Sequence, residues 1–116
     1  MRAISGMLVV DQDHSRNGSA VVNFANVPAD NADVGDARFS QRRVIGGSGI
    51  FRTLPAYVAT IREFIVRDDL RDGLTKSEND DFILNTNCDE QRIHFDWKVE
   101  DNGGRISEIA FLVMGE

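Results

Sequence analysis

Residues 92–100 read Arg-Ile-His-Phe-Asp-Trp-Lys-Val-Glu, an unbroken alternation of polar and apolar side chains. A period of two puts Ile93, Phe95, Trp97 and Val99 on one side of a strand and the charged residues on the other. A helix would scatter those four side chains, because successive residues on it turn by about 100°. The segment is a half-buried antiparallel strand with one wet face, and Trp97 belongs to the core. Before it, Asp81-Phe82-Ile83-Leu84-Asn85-Thr86 reads as a strand closed by a turn at 87–90. After the turn Asp101-Asn102-Gly103-Gly104, residues 106–114 are almost continuously apolar and so suit a more central strand. Three sequential strands joined by short turns predict a C-terminal three-strand meander.

The N-terminal third suggests a hairpin. The runs Met7-Leu8-Val9-Val10 and Ala20-Val21-Val22-Asn23-Phe24 flank Asn17-Gly18, a pair suited to the positive φ of a tight turn. Pro28 and the residues up to Asp36 are turn formers and mark the longest loop. Between these regions, Leu54, Val58, Ile61 and Ile65 recur at the spacing of one helical stripe. Thr53 suits an N-cap, Pro55 is tolerated in a first turn, and Gly73 is a natural stop. The spacing predicts one main α-helix over about 54–72, packed on an antiparallel sheet. The expected class is therefore α+β, in a single domain over 1–116.

Composition bounds the function. At 116 residues, 41% hydrophobic and 28% charged, the chain is ordinary globular material. A single cysteine, Cys88, excludes an intramolecular disulfide. No apolar window reaches the length of a secretion signal or a membrane span, so a cytoplasmic protein is expected. The net charge of -6 disfavours direct contact with nucleic acid or an anionic membrane.

That charge is segregated. Residues 38–62 hold five arginines and no acid, whereas residues 63–101 hold twelve acids against five bases. Asp68, Asp69 and Asp72 would sit at a helix C-terminus, where the dipole favours cations, which hints at a role outside folding. With Glu78, Asp80 and Asp81 they are the candidate protein-binding residues. The arginines, Arg38, Arg42, Arg43, Arg52 and Arg62, lack interleaved aromatics, so pairing with the acids within the chain or across a homodimer is expected before a nucleic-acid surface.

Other motifs fall short of chemistry. Ile45-Gly46-Gly47-Ser48-Gly49-Ile50 resembles a phosphate cradle, but the third glycine of a dinucleotide fingerprint would fall on Arg52 and no P-loop Lys-Ser/Thr pair follows. Asp11-x-Asp13-x-Ser15 echoes a calcium loop, yet the required glycine and glutamate are replaced by Arg16 and Val22. His14, His94 and Cys88 lack zinc-ligand spacing. No catalytic, metal or cofactor residue is assigned, and the chain is not expected to be an enzyme.

From Gly49 onward the sequence resembles a small bacterial family known only as a domain of unknown function (the DUF3768 type). The matching residues are Gly49-Ile50, Leu54-Pro55, Asn79-Asp80-Asp81-Phe82 and Trp97-Lys98-Val99-Glu100, followed by an apolar last strand from Arg105 to Met114. Asp80 stands where the family has a histidine, and Ile83 where it has a glycine. The resemblance implies a helix after Pro55 and an accessory protein of plasmids, prophages or other mobile elements. Joined to the acidity, it suggests a non-enzymatic anti-defence inhibitor. Its carboxylates would enter the basic, nucleic-acid-binding channel of a CRISPR-Cas complex or another host nuclease. The alternative is a self-associating structural protein in which the basic stretch of one copy meets the acidic stretch of another. A small enzyme ranks third.

Overall fold

A computed structural model describes residues 1–47, 49–66, 82–100 and 104–116. Seven strands account for most of them: β1 (Arg2–Val10), β2 (Asn17–Asn23), β3 (Ala37–Ile45), β4 (Ala56–Val66), β5 (Phe82–Cys88), β6 (Arg92–Val99) and β7 (Gly104–Gly115). Two short 3-10 turns, Gln12–His14 and Phe24–Asn26, are the helical elements among the described residues. The strands form two antiparallel sheets, one ordered β3-β1-β7-β4 and the other β2-β6-β5. The architecture is a two-sheet β-sandwich, which overturns the expected α+β class.

The core lies between the sheets, as each strand's period of two requires. Ile93, Phe95, Trp97 and Val99 of β6 are all buried, and the alternation that predicted them holds along the whole strand. Phe95 packs at 5.5 Å from Phe111 of β7, which in turn lies 6.1 Å from Phe39 of β3. Phe24 meets Phe51 edge to face at 5.1 Å. Each fully buried ring or branched side chain contributes about 1.5–3 kcal/mol of transfer free energy.

Three expectations fail on tertiary grounds. The helix over 54–72 is replaced by β4, paired with β7 from Ala56↔Met114 to Val66↔Gly104; residues 67–72 lie outside the described residues. Tyr57, Val58, Thr60, Ile61, Phe64, Ile65 and Val66 are β-branched or aromatic, and such side chains lose rotamer freedom in a helix. The supposed stripe also splits: Leu54 and Val58 are 69% and 59% exposed, whereas Ala59 and Ile61 pack on the core. The helix implied by the family resemblance fails with it.

The N-terminal hairpin does not form. β1 joins the four-stranded sheet and β2 the three-stranded one, so the chain changes sheets between Val10 and Asn17. Asn17-Gly18 is part of β2, not a turn. Gly18 is required by a close approach, since a Cβ there would stand 2.6 Å from Trp97 Cζ2. The meander is also broken. β5 and β6 form a hairpin as expected, but β7 crosses to the other sheet and lies between β1 and β4.

Both flanks of the sandwich are stitched. Residues 27–36 run along two sheet edges at once: Val21 N–H bonds Val34 O at 2.8 Å, and Asn31 N–H bonds Phe39 O at 2.8 Å. Such a covering segment keeps edge strands from pairing with other chains. On the opposite flank the Tyr57 hydroxyl of β4 donates to Thr86 O of β5 at 3.3 Å and lies 3.0 Å from Thr86 Oγ1. No helix among the described residues is long and apolar enough to cross a membrane.

Candidate functional site

The six carboxylates singled out from sequence, Asp68, Asp69, Asp72, Glu78, Asp80 and Asp81, lie outside the described residues. Their anchors do not. The chain leaves β4 at Val66 and re-enters at Phe82 of β5, so all six belong to one connection between the two sheets. The strands at its base are the pair joined through Tyr57 and Thr86.

The five arginines form no single patch. Arg38, Arg42 and Arg43 are on β3 and Arg62 is on β4, and these strands are opposite edges of the four-stranded sheet. Three strand spacings separate them, roughly 14 Å. Arg42 pairs with Asp30 at 3.8 Å, a partner in the 27–36 segment rather than the acidic connection.

A polar corner that sequence reading left unassigned forms where β1 hands over to β2. His14 Nδ1 lies 3.1 Å from Asp11 Oδ2, and His14 Nε2 lies 3.5 Å from Asp36 Oδ1. Asp36 Oδ2 also accepts from Ser19 N–H at 3.0 Å. The Trp97 indole donates to His14 O at 2.7 Å, which fixes the turn beneath the ring. The corner borders a cleft of about 470 Å³ lined by Val10, Asp11, Asp33 and Arg38 among others. Its arrangement clips the Gln12–His14 turn to the 33–36 segment. The Ser15 hydroxyl donates to Gln12 O at 2.9 Å and is committed to that turn. Twenty-five positions separate Asp11 from Asp36 in the sequence, and only the fold brings them to one histidine. Among the described residues no group of three or more His, Cys, Asp or Glu side chains is placed to hold a metal ion.

The β5–β6 turn carries the clearest electrostatic feature. Asp89 Oδ1 accepts from Gln91 N–H at 2.8 Å and Arg92 N–H at 3.0 Å. Those two backbone donors hold its carboxyl below the usual range. Cys88 beside it is pushed up to about 11, first by burial and then by the Asp89 charge. A thiol so shifted is protonated at neutral pH and is a poor nucleophile. His94 projects to the polar side of β6, 3.7 Å from Asp96 Oδ2 on its own strand.

The outer faces of the two sheets differ in character. On the three-stranded sheet, β6 presents Arg92, His94, Asp96 and Lys98, with Asn85 and Asn87 beside them on β5. On the four-stranded sheet, Met7, Val9, Ala110 and Leu112 point away from the core, and Val58 and Met114 flank them. No family model, no curated protein and no solved structure matches this chain.

Proposed function

We propose that this chain is a small non-enzymatic binding protein whose acidic connection engages a basic, nucleic-acid-binding partner. The observation that supports the reading is the position of the acids along the sequence. All six candidate acids fall between β4 and β5 in the chain, two edge strands tied to each other through Tyr57 and Thr86. Recognition residues are commonly mounted in this way, on a connection held by a rigid scaffold. The protonated Cys88 thiol and the committed Ser15 hydroxyl agree with a role without covalent chemistry. A host nuclease or interference complex, with its channel lined by Lys and Arg, is the partner class this charge suits, and a mobile-element accessory protein is the setting.

The test replaces Asp68, Asp69, Asp80 and Asp81 together by Asn and compares capture of host proteins with wild type at low and high salt. Wild type should recover a nucleic-acid-binding protein at low salt and lose it as salt rises, because exposed charges are screened over about 10 Å at 0.1 M. The quadruple variant should recover at least tenfold less. Equal recovery by both proteins would overturn the reading.

A further inference from the structure

We propose that the outer face of the four-stranded sheet is a self-association surface on which a second copy of this chain packs face to face. Strands buried on both sides read as near-continuous apolar runs, whereas half-buried strands alternate. β7 is of the first kind, with Ile109-Ala110-Phe111-Leu112-Val113-Met114 unbroken. Ile109, Phe111 and Val113 fill the core, so Ala110, Leu112 and Met114 point outward. Register extends that outward surface to Met7 and Val9 of β1 and to Val58 of β4. Val58, Ile45 and Met114 are 59%, 49% and 39% exposed. All seven described strands are used within the two sheets, and no described element is left to cover this face.

The register also selects the occupant. Cross-strand neighbours form rows over the face, running from β3 to β4. One end row reads Ile45-Ala3-Met114-Ala56, entirely apolar. The two middle rows, Arg43-Ser5-Leu112-Val58 and Gln41-Met7-Ala110-Thr60, are apolar at Leu112, Val58, Met7 and Ala110. The other end row has Arg38 on β3, Val9 on β1 and Glu108 on β7. Arg38 and Glu108 make no ion pair among the described residues. A two-fold axis parallel to the strands keeps each row over itself and reverses the order of strands. Met7 then stacks on the partner's Ala110, and Ala3 on the partner's Met114, large against small in both cases, while Ser5 meets the partner's Leu112 and Arg43 the partner's Val58. Arg38 comes beside the partner's Glu108. An axis across the strands would instead set Arg38 over Ile45 and Glu108 over Met114, leaving both charges against apolar side chains at a desolvation cost. The face measures roughly 500 Å² per copy from strand spacing and rise, about 1,000 Å² in all, the size class of a small, weak interface. Two such sheets stack about 10 Å apart with strands within about 30° of parallel.

The proposal is independent of the acidic connection and is tested on the full chain by analytical ultracentrifugation over a range of concentrations. Wild type should sediment as a dimer and remain one at high NaCl, since apolar contact is not screened. Leu112→Lys should shift it to monomer with an unchanged far-UV circular dichroism spectrum. Should that variant misfold, Met114→Lys, at the more exposed end of the strand, reads the same contact. Arg38→Glu should weaken the dimer at least tenfold, and adding Glu108→Arg should restore it. The Asp68, Asp69, Asp80 and Asp81 to Asn variant should stay dimeric even where it loses its basic partner. A wild-type monomer at every concentration, a dimer unaffected by both lysine variants, or a dimer that dissolves in salt would overturn the proposal.

Discussion

The outer faces of the two sheets are built from strands of similar length, yet they carry opposite chemistry. On the three-stranded sheet the strand with the strictest alternation, β6, sits in the middle and exposes Arg92, His94, Asp96 and Lys98. On the four-stranded sheet the central strands β1 and β7 present Ala3, Met7, Val9, Ala110, Leu112 and Met114 on the outer side, interrupted by Ser5 and Glu108, and the arginines Arg38 and Arg43 lie on the edge strand β3. A polar outer face needs only water. An apolar one of this extent is the signature of a surface that meets another molecule. The contrast teaches that the period of hydrophobicity reports how many sides of a strand are sheltered, and that the second shelter need not come from the same chain.

The largest effect that tests this comparison lies on the sheltered side of the three-stranded sheet. Trp97→Ala should cost about 3–5 kcal/mol in urea unfolding, because it removes a buried ring packed over Gly18 and a hydrogen bond to His14 O. A loss below about 1 kcal/mol would mean that this side is open to solvent. The comparison itself is sharpened by placing the same charge on each outer face. Leu112→Lys should cost about 1–2 kcal/mol at concentrations where the chain self-associates, whereas Val21→Lys, beside His94 on the polar face, should stay within about 0.5 kcal/mol. Equal effects in denaturant titrations would erase the distinction between the faces.

The smallest effect concerns the turn that closes the polar face. Asp89 is exposed, and its carboxyl titrates lower in the folded chain than in the unfolded one because Gln91 and Arg92 N–H groups bond its charged form. A depressed folded pKa contributes stability that is present above the unfolded value, near 4, and is lost as pH falls through the folded one. Asp89→Ala should therefore lower the thermal midpoint slightly at about pH 6–7, and the difference from wild type should shrink as pH falls below the ordinary carboxylate range. A midpoint difference that persists unchanged in acid would show that the turn does not depend on that charge.

Local pattern was enough for the region from 82 to 99. Four apolar residues at strict spacing two identified β6, its buried side and the role of Trp97; the turn expected at 87–90 is shorter, because Asn87 and Cys88 pair with His94 and Ile93 as part of β5. The stretch from 54 to 66 was not legible in the same way. Its apolar spacing matches a helical stripe, while its β-branched and aromatic content favours a strand, and the pairing with β7 decided between them. The His14 corner was also invisible, since Asp11 and Asp36 meet only after β2 and β3 have been placed in different sheets.

By itself the sequence determined which side of β6 is sheltered, because a period of two is a property of the backbone and survives any arrangement of neighbours. The near-continuous apolar run of β7 likewise announced a central strand. Only the tertiary structure decided which strands pair. β1 and β2 follow one another along the chain yet lie in separate sheets, and β7 abandons β6 to sit between β1 and β4. Pairing partners are chosen by contacts between distant residues: Gly18 beneath Trp97, and Phe111 between Phe39 and Phe95. Such contacts leave no trace in the spacing of neighbouring residues, because they join positions whose separation along the chain is arbitrary.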